Sequence, residues 1–244
     1  MKKLVALLIF LVLPFQLIAK NKSLLIFAGA GMREPLNEIG KKFNEHYKIE
    51  VIYDYEGSGR LGNKILAGQT PDIFIPGSMR WAKILKNKGY IEKCYPIAYH
   101  IPVIITPLKD KKVVKLKDLL KPHVSVVLGN PQACAIGKVS LKIFKKANIS
   151  WKKLNIVALG VTVKQLVHWI EGNNADASIV WQADAKESGK VRIVQIPEKF
   201  NTIAVIPACV VKNPPHPNLV KTYIKFLLTQ GKKYFAKYGF KVVK

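Results

Sequence analysis

The stretch VSVVLGNPQACAIGKVS, from Val124 to Ser140, reads as a buried strand, a loop and the start of a helix, with Gly137-Lys138 near its end. A nucleotide-phosphate loop needs G-x-x-x-x-G-K-[ST]: glycines for close backbone approach, a lysine for the phosphates, a hydroxyl for Mg²⁺. Here Gln132 stands where the first glycine belongs and Val139 replaces the hydroxyl. The chemistry of a magnesium triphosphate is therefore missing. What remains is a strand-to-helix turn, Ala135 to Gly137, that can offer backbone N–H groups to one face of a small anion. On this reading Lys138 is a solvated helix residue.

Other strand ends carry similar loops: Gly29-Ala30-Gly31-Met32, Gly57-Ser58-Gly59, Pro76-Gly77-Ser78 and Gly160-Val161-Thr162-Val163. Each is built of small or neutral residues and opens a helix. The first N–H groups of a helix lack internal partners, and the dipole places about half a positive charge there. Ser58, Ser78 and Thr162 can add hydroxyl donors or cap their helices. Any one such loop is explained as an ordinary cap or turn. Five of them facing one cleft make an anion site built of neutral donors.

Sharper chemistry is sparse. Gly57-Ser58-Gly59-Arg60-Leu61-Gly62 matches G-x-G-x-x-G, but the next strand ends in Pro76-Gly77 with no acidic residue to hold a ribose. No G-x-S-x-G elbow, H-E-x-x-H or paired acidic motif occurs, and His46, His100, His123, His168 and His216 are scattered. Cys134, after the small Ala133 at a helix start, is the candidate nucleophile of a secreted cysteine-dependent enzyme. No partner histidine is visible for it, so a packed thiol is the simpler reading. Asp176 and Asp184 suit cap or turn roles.

The elements that must position these loops alternate. SLLIFA, IEVIYDY and DIFI read as strands, each followed by a helical pattern: Met32 to His46, Arg60 to Ala67, Met79 to Lys88. A second series runs VSVVLG, helix Lys138 to Ala147, LNIVA, helix Lys164 to Glu171, ASIVW. Two long apolar runs, Ala98 to Pro107 and Asn201 to Val211, have no helix after them, and the chain finishes with helical patterns over Leu219–Thr229 and Lys232–Tyr238. This predicts an α/β protein of two lobes, each a mixed, mostly parallel sheet flanked by helices, joined by two crossing strands. The expected boundaries are 20–98 plus 207–244 for the first lobe and 99–206, with the hinge strands, for the second. The ligand would lie between them, beyond the carboxyl ends of the strands.

The 244 residues carry 40 Lys and Arg against 15 Asp and Glu, a formal charge of +25. Only Arg33, Arg60, Arg80 and Arg192 are arginines, and the lysines are spread along the chain. That argues against nucleic-acid binding, which favours Arg and a concentrated basic stripe, and for a lysine-rich surface that draws in small anions. Residues 1–19 have a Lys2-Lys3 start, an apolar run from Leu4 to Ile18 broken by Pro14 and Gln16, and a cleavage site at Leu17-Ile18-Ala19, the pattern of a cleaved signal peptide. Export to a periplasm follows, with a charge of +23 left, since those residues hold two lysines and no acid. Cys94, Cys134 and Cys209 allow at most one internal pair plus a spare thiol; Cys94–Cys209 is one candidate pairing.

FAGAGMREPLNEIGKKF, YEGSGRLGNKILAGQTPDIFIPGS, LGNPQACAIGK and ADASIVWQADA, in that order, resemble the molybdate- and tungstate-binding receptors of ABC importers, a branch of the type II periplasmic binding proteins. The resemblance covers about Leu24 to Ala185. It implies that a tetrahedral oxyanion is held by neutral hydrogen bonds at Gly31 and Met32, Ser58, Gly77, Ile136, Val163 and Trp181. Gly31 stands where the family usually has Ser, and Trp181 where it usually has Tyr. Both changes remove a hydroxyl donor. The resemblance further implies a monomer with no cofactor, no free metal cation and no catalytic residue, docking to an ABC permease in the inner membrane.

Molybdate, tungstate and sulfate are fully ionised and need only donors, whereas hydrogen phosphate also needs an acceptor. The loops hold no acid except Glu34 and Glu56 at their edges. Molybdate or tungstate is expected first. Sulfate, phosphate or another small anion is the alternative, and Glu56 is the residue that could admit phosphate. Adjacent paired tyrosines, as in ferric-iron receptors of the same fold, are absent.

Overall fold

The computed structural model describes residues 23–243. The signal-peptide expectation for residues 1–19 lies outside them. Among the described residues no helix is long and apolar enough to cross a membrane.

The first series folds as expected. Strands β1 (Ser23–Gly29), β2 (Glu50–Glu56) and β3 (Ile73–Ile75) alternate with helices α1 (Arg33–Tyr47), α2 (Ser58–Leu66) and α3 (Met79–Asn87). β1 lies between β2 and β3 and is parallel to both. Successive side chains of a strand face opposite sides. Ile26, Ile73 and Ile75 accordingly join Leu36, Phe43 and Tyr223 on one side of the sheet. Phe27 and Phe74 join Leu61, Leu85 and Cys209 on the other. Burial on both faces is what makes these strands continuous apolar runs.

The first long run is two strands, not one. β4 (Ile91–His100) ends the first sheet's share, Ile101 is a break, and β5 (Pro102–Pro107) begins the second sheet. There β6 (Ser125–Gly129), α4 (Ala135–Lys146), β7 (Asn155–Gly160), α5 (Val163–Glu171) and β8 (Ala177–Trp181) form the second parallel series. α6 (Gln182–Ser188) and β9 (Val191–Gln195) follow before the chain returns through β10 (Ala204–Val211) to α7 (Pro217–Phe226), α8 (Lys232–Lys237) and β11 (Lys241–Val242). Strand order is β11-β4-β10-β3-β1-β2 in one sheet and β7-β6-β8-β5-β9 in the other. Both sheets are mixed. The strand-helix-strand units give the parallel pairs, while the crossing strands and their neighbours pair antiparallel.

Cys94 and Cys209 face each other directly across the β4–β10 pair and are bonded. Cys134 is free and buried. Asp72, fully buried at the start of β3, accepts N–H bonds from Leu25 (2.9 Å) and His216 (2.8 Å) and so ties β1 to the entry of α7.

Candidate functional site

A cleft of about 610 Å³ opens between the two sheets. Gly29 to Met32, Glu56 to Gly59 and Gly77-Ser78 line it from the first sheet, and Gln132 to Ala135 and Trp181 from the second. The starts of α1, α2, α3 and α4 thus meet in one place. None of these four helices has a side-chain cap on its first turn. α5 is different: Thr162 Oγ1 accepts the Gln165 N–H at 3.2 Å, and neither Thr162 nor Val163 lines the cleft. First-turn N–H groups without a cap need another partner.

Of the seven sequence-derived site residues, Gly31, Met32, Ser58, Gly77 and Trp181 come together at this cleft. Ile136 and Val163 do not line it. The Ile136 side chain is fully buried in the second sheet's core, and Val163 packs against the same core. Gly77 is already engaged: its N–H donates to Ser58 Oγ at 3.0 Å, and its carbonyl accepts from His100 Nδ1 at 3.1 Å. Ser58 Oγ accepts that bond and keeps its own proton to donate.

Two glycines have steric reasons. A Cβ on Gly137 would fall 2.2 Å from the Gly129 carbonyl oxygen, so α4 reaches the end of β6 only because Gly137 has no side chain. A Cβ on Gly62 would fall 2.3 Å from the Trp81 ring, and one on Gly59 3.4 Å from its Nε1. The dinucleotide-like GSGRLG is therefore a seat for Trp81.

Sequence reading missed several cleft residues. His100 ends β4, is 9% exposed and stacks on Trp181 with ring centroids 4.9 Å apart. Burial pulls its pKa down to about 4, against a smaller upward pull from the Gly77 carbonyl, so the ring is neutral near pH 7. The available signal was its place where the chain leaves the first lobe, since crossing residues border the cleft. Trp81, Arg80 and Lys138 also line it; Lys138, exposed as expected, borders the cleft as well.

Glu56 lies at the rim and is half occupied. Its Oε1 accepts from Lys64 at 2.8 Å, and its Oε2, closed to solvent and without a hydrogen bond, has Arg60 Nε at 3.6 Å. Cys134 is held as a thiol: burial raises its pKa, only partly offset by the Ile136 and Gly137 N–H groups. Among the described residues no cluster of three or more His, Cys, Asp or Glu could hold a metal ion.

The fold and this cleft define a two-lobed binding protein. The family model for bacterial extracellular solute-binding proteins matches residues 24–241, and the chain belongs to that family. It is a binding protein, not an enzyme. Its relatives include the molybdate-binding protein ModA of Haemophilus influenzae, 28% identical over 237 residues and 91% of each chain. A Bacillus subtilis chain assigned as an ABC transporter substrate-binding lipoprotein, YvgL, is 27% identical over 91% of this chain and 87% of its own. A substrate-binding domain attributed to a molybdenum ABC transporter of Clostridium difficile superposes with a TM-score of 0.80 at 25% identity, over 91% of this chain and 99% of that one.

Proposed function

We propose that the protein is the periplasmic receptor of an ABC importer, capturing a tetrahedral oxyanion, molybdate or tungstate first, and delivering it to a membrane permease. The observation that carries this reading is the meeting of four uncapped helix N-termini and the Ser58 hydroxyl on one cleft. Such a site holds negative charge with oriented neutral donors. Arg80 and Lys138 at the rim, and the surplus of lysines, favour the approach of an anion. Glu56 Oε1 is tied to Lys64, but its Oε2 has no hydrogen bond and a neutral His100 offers a ring lone pair, so hydrogen phosphate is the rival that the anion comparison must separate.

We place the first lobe at residues 23–100 with 204–243 and the second at 102–203, a few residues from the expected 98/99 and 206/207 boundaries, because β4 to His100 and β10 from Ala204 pair in the first sheet. Gly31, Met32 and Ser58 would bind from the first lobe, with Gly77 as an organiser. Closure of the lobes would bring the second lobe's donors near Ile136, Val163 and Trp181 onto the anion. The receptor acts as a monomer and needs no cofactor. Calorimetry of the mature protein against molybdate, tungstate, sulfate and phosphate tests the reading. Tightest binding is expected for molybdate or tungstate. A preference for sulfate or phosphate overturns the named ligand, and no binding to any of the four overturns the oxyanion receptor.

A further inference from the structure

The His100 ring has two nitrogens with different duties. Nδ1 lies 3.1 Å from the Gly77 carbonyl oxygen. A carbonyl can only accept, so Nδ1 carries the proton. In the neutral ring Nε2 is then a bare lone pair. His100 lines the cleft, and its Nε2 lies 4.0 Å from where a Cβ on Gly31 would stand, the only heavy atom of the described residues that near apart from Gly31's chain neighbours. Gly31 is also the position whose missing side chain removes a hydroxyl donor. His100 Nε2 thus occupies the space that a Gly31 hydroxyl would serve, with the opposite hydrogen-bonding sense.

From this juxtaposition, and resting on the oxyanion-receptor reading above, we propose that His100 is a specificity-determining residue that takes up one proton when a fully ionised oxyanion binds. The added proton sits on Nε2 and turns it from acceptor to donor. It replaces the missing hydroxyl at Gly31 and places a positive charge against the dianion.

The groups in direct contact with the ring do not titrate, and one carboxyl beyond them does. The elements packed on the ring are the Gly31 and Gly77 loops, Trp181 at the end of β8, Ala204 opposite it on β10 and Phe240 before β11. None of these residues is ionisable. The charged or titratable groups of the same cleft are Glu56, Arg80, Lys138 and Cys134. Just behind Trp181, Asp184 on α6 acts on Cys134, and burial, with Glu187, pushes its carboxyl up to about 7, so Asp184→Asn is measured beside His100→Gln to assign the proton. Glu56 is paired with Lys64 and Cys134 is held protonated. The free ring is neutral near pH 7, so the proton must come from solvent, and linkage makes the affinity fall as pH rises.

The experiment is titration calorimetry of the mature protein with molybdate, tungstate and sulfate, each in two buffers of different ionisation enthalpy, from about pH 6 to about pH 8. The expected result is uptake of up to one proton per anion, with Kd rising by as much as about tenfold per pH unit. In His100→Gln, whose amide donates without titrating, uptake and pH dependence disappear while binding persists. In Gly31→Ser the hydroxyl supplies a donor, uptake falls, and affinity at the upper pH rises. Binding without buffer dependence, or uptake that persists in His100→Gln, overturns the proton linkage and leaves the receptor reading standing. No heat with any of the three anions overturns both.

Discussion

Gly137→Ala is the sharpest test of how the cleft is built. Its Cβ would stand 2.2 Å from the Gly129 oxygen, 2.7 Å from the Gly129 carbonyl carbon and 2.8 Å from the Asn130 carbonyl carbon. All three atoms are backbone and cannot swing aside. Ordinary contact begins near 3.4 Å, so the first turn of α4 must retreat by about 1 Å. Overpacking of this kind costs about 1–3 kcal/mol, which for a chain of this size lowers Tm by roughly 2–12 °C. The same retreat carries the Cys134–Ile136 backbone away from the anion, and a displacement of about 1 Å at a positioned site is worth about a hundredfold. Gly57→Ala is the matched control for the melting alone, since Gly57 itself lines the cleft. Nothing lies within 4 Å of its Cβ, and its φ of −65° suits any residue. The assays are thermal melting and calorimetry with molybdate. If Gly137→Ala melts within about 1 °C of wild type and of Gly57→Ala, the close approach of α4 to β6 is wrong, and with it the placement of the second lobe's donors.

Other perturbations give smaller and equally definite effects. Ser58→Ala leaves the Gly77 N–H without its 3.0 Å acceptor and removes a donor from the cleft; a loss of about 1–3 kcal/mol should appear as weaker anion binding in calorimetry, and unchanged affinity would exclude Ser58 from the site. Cys134→Ala should retain anion affinity, because the thiol is a buried group held protonated and not a nucleophile; loss of a measurable reaction on its substitution would revive the enzyme alternative. Asp176 titrates at about 2 in the folded state: burial alone would raise its pKa, but Lys112 and the Ser125 hydroxyl and N–H outweigh it. A folded pKa below the unfolded one stabilises above the unfolded value near 3.8, so the pH-melting curve should lose about 2 kcal/mol as pH falls from about 5 to about 2, and Asp176→Asn should flatten that loss.

The parallel series were readable because strands buried on both faces are unbroken apolar runs and their helices carry a clear apolar stripe. α6 was not, because QADAKES buries only Ala185 and has no stripe to detect. Its end is marked by Gly189 at φ 63°, a left-handed turn that favours glycine. β9 is five residues long and only partly buried, so its alternation is weak. In the site, the glycine loops were legible since their composition is local. His100 and Trp81 were not: each owes its place to a partner elsewhere in the chain, Trp181 for the first and the Gly59–Gly62 face of α2 for the second. Position in a family motif also failed to say which atom faces the ligand. Ile136 and Val163 turn their side chains to the second core, so only their backbone could serve.

The Cys94–Cys209 bond has a mechanical meaning beyond its chemistry. β4 and β10 are the two arms by which the chain leaves and re-enters the first sheet, and the sulfur bridge clamps them together well before His100 and Ala204, where their pairing ends. The clamped arms move as one girder. Any bending between the lobes is pushed past it, to Ile101 and to residues 196–203, where Asn201 Nδ2 donates to the Pro102 carbonyl at 2.9 Å and couples the two free spans. His100 is the last clamped residue before that fulcrum, so in the proposed closure the imidazole would stay fixed to the first lobe while the second moved.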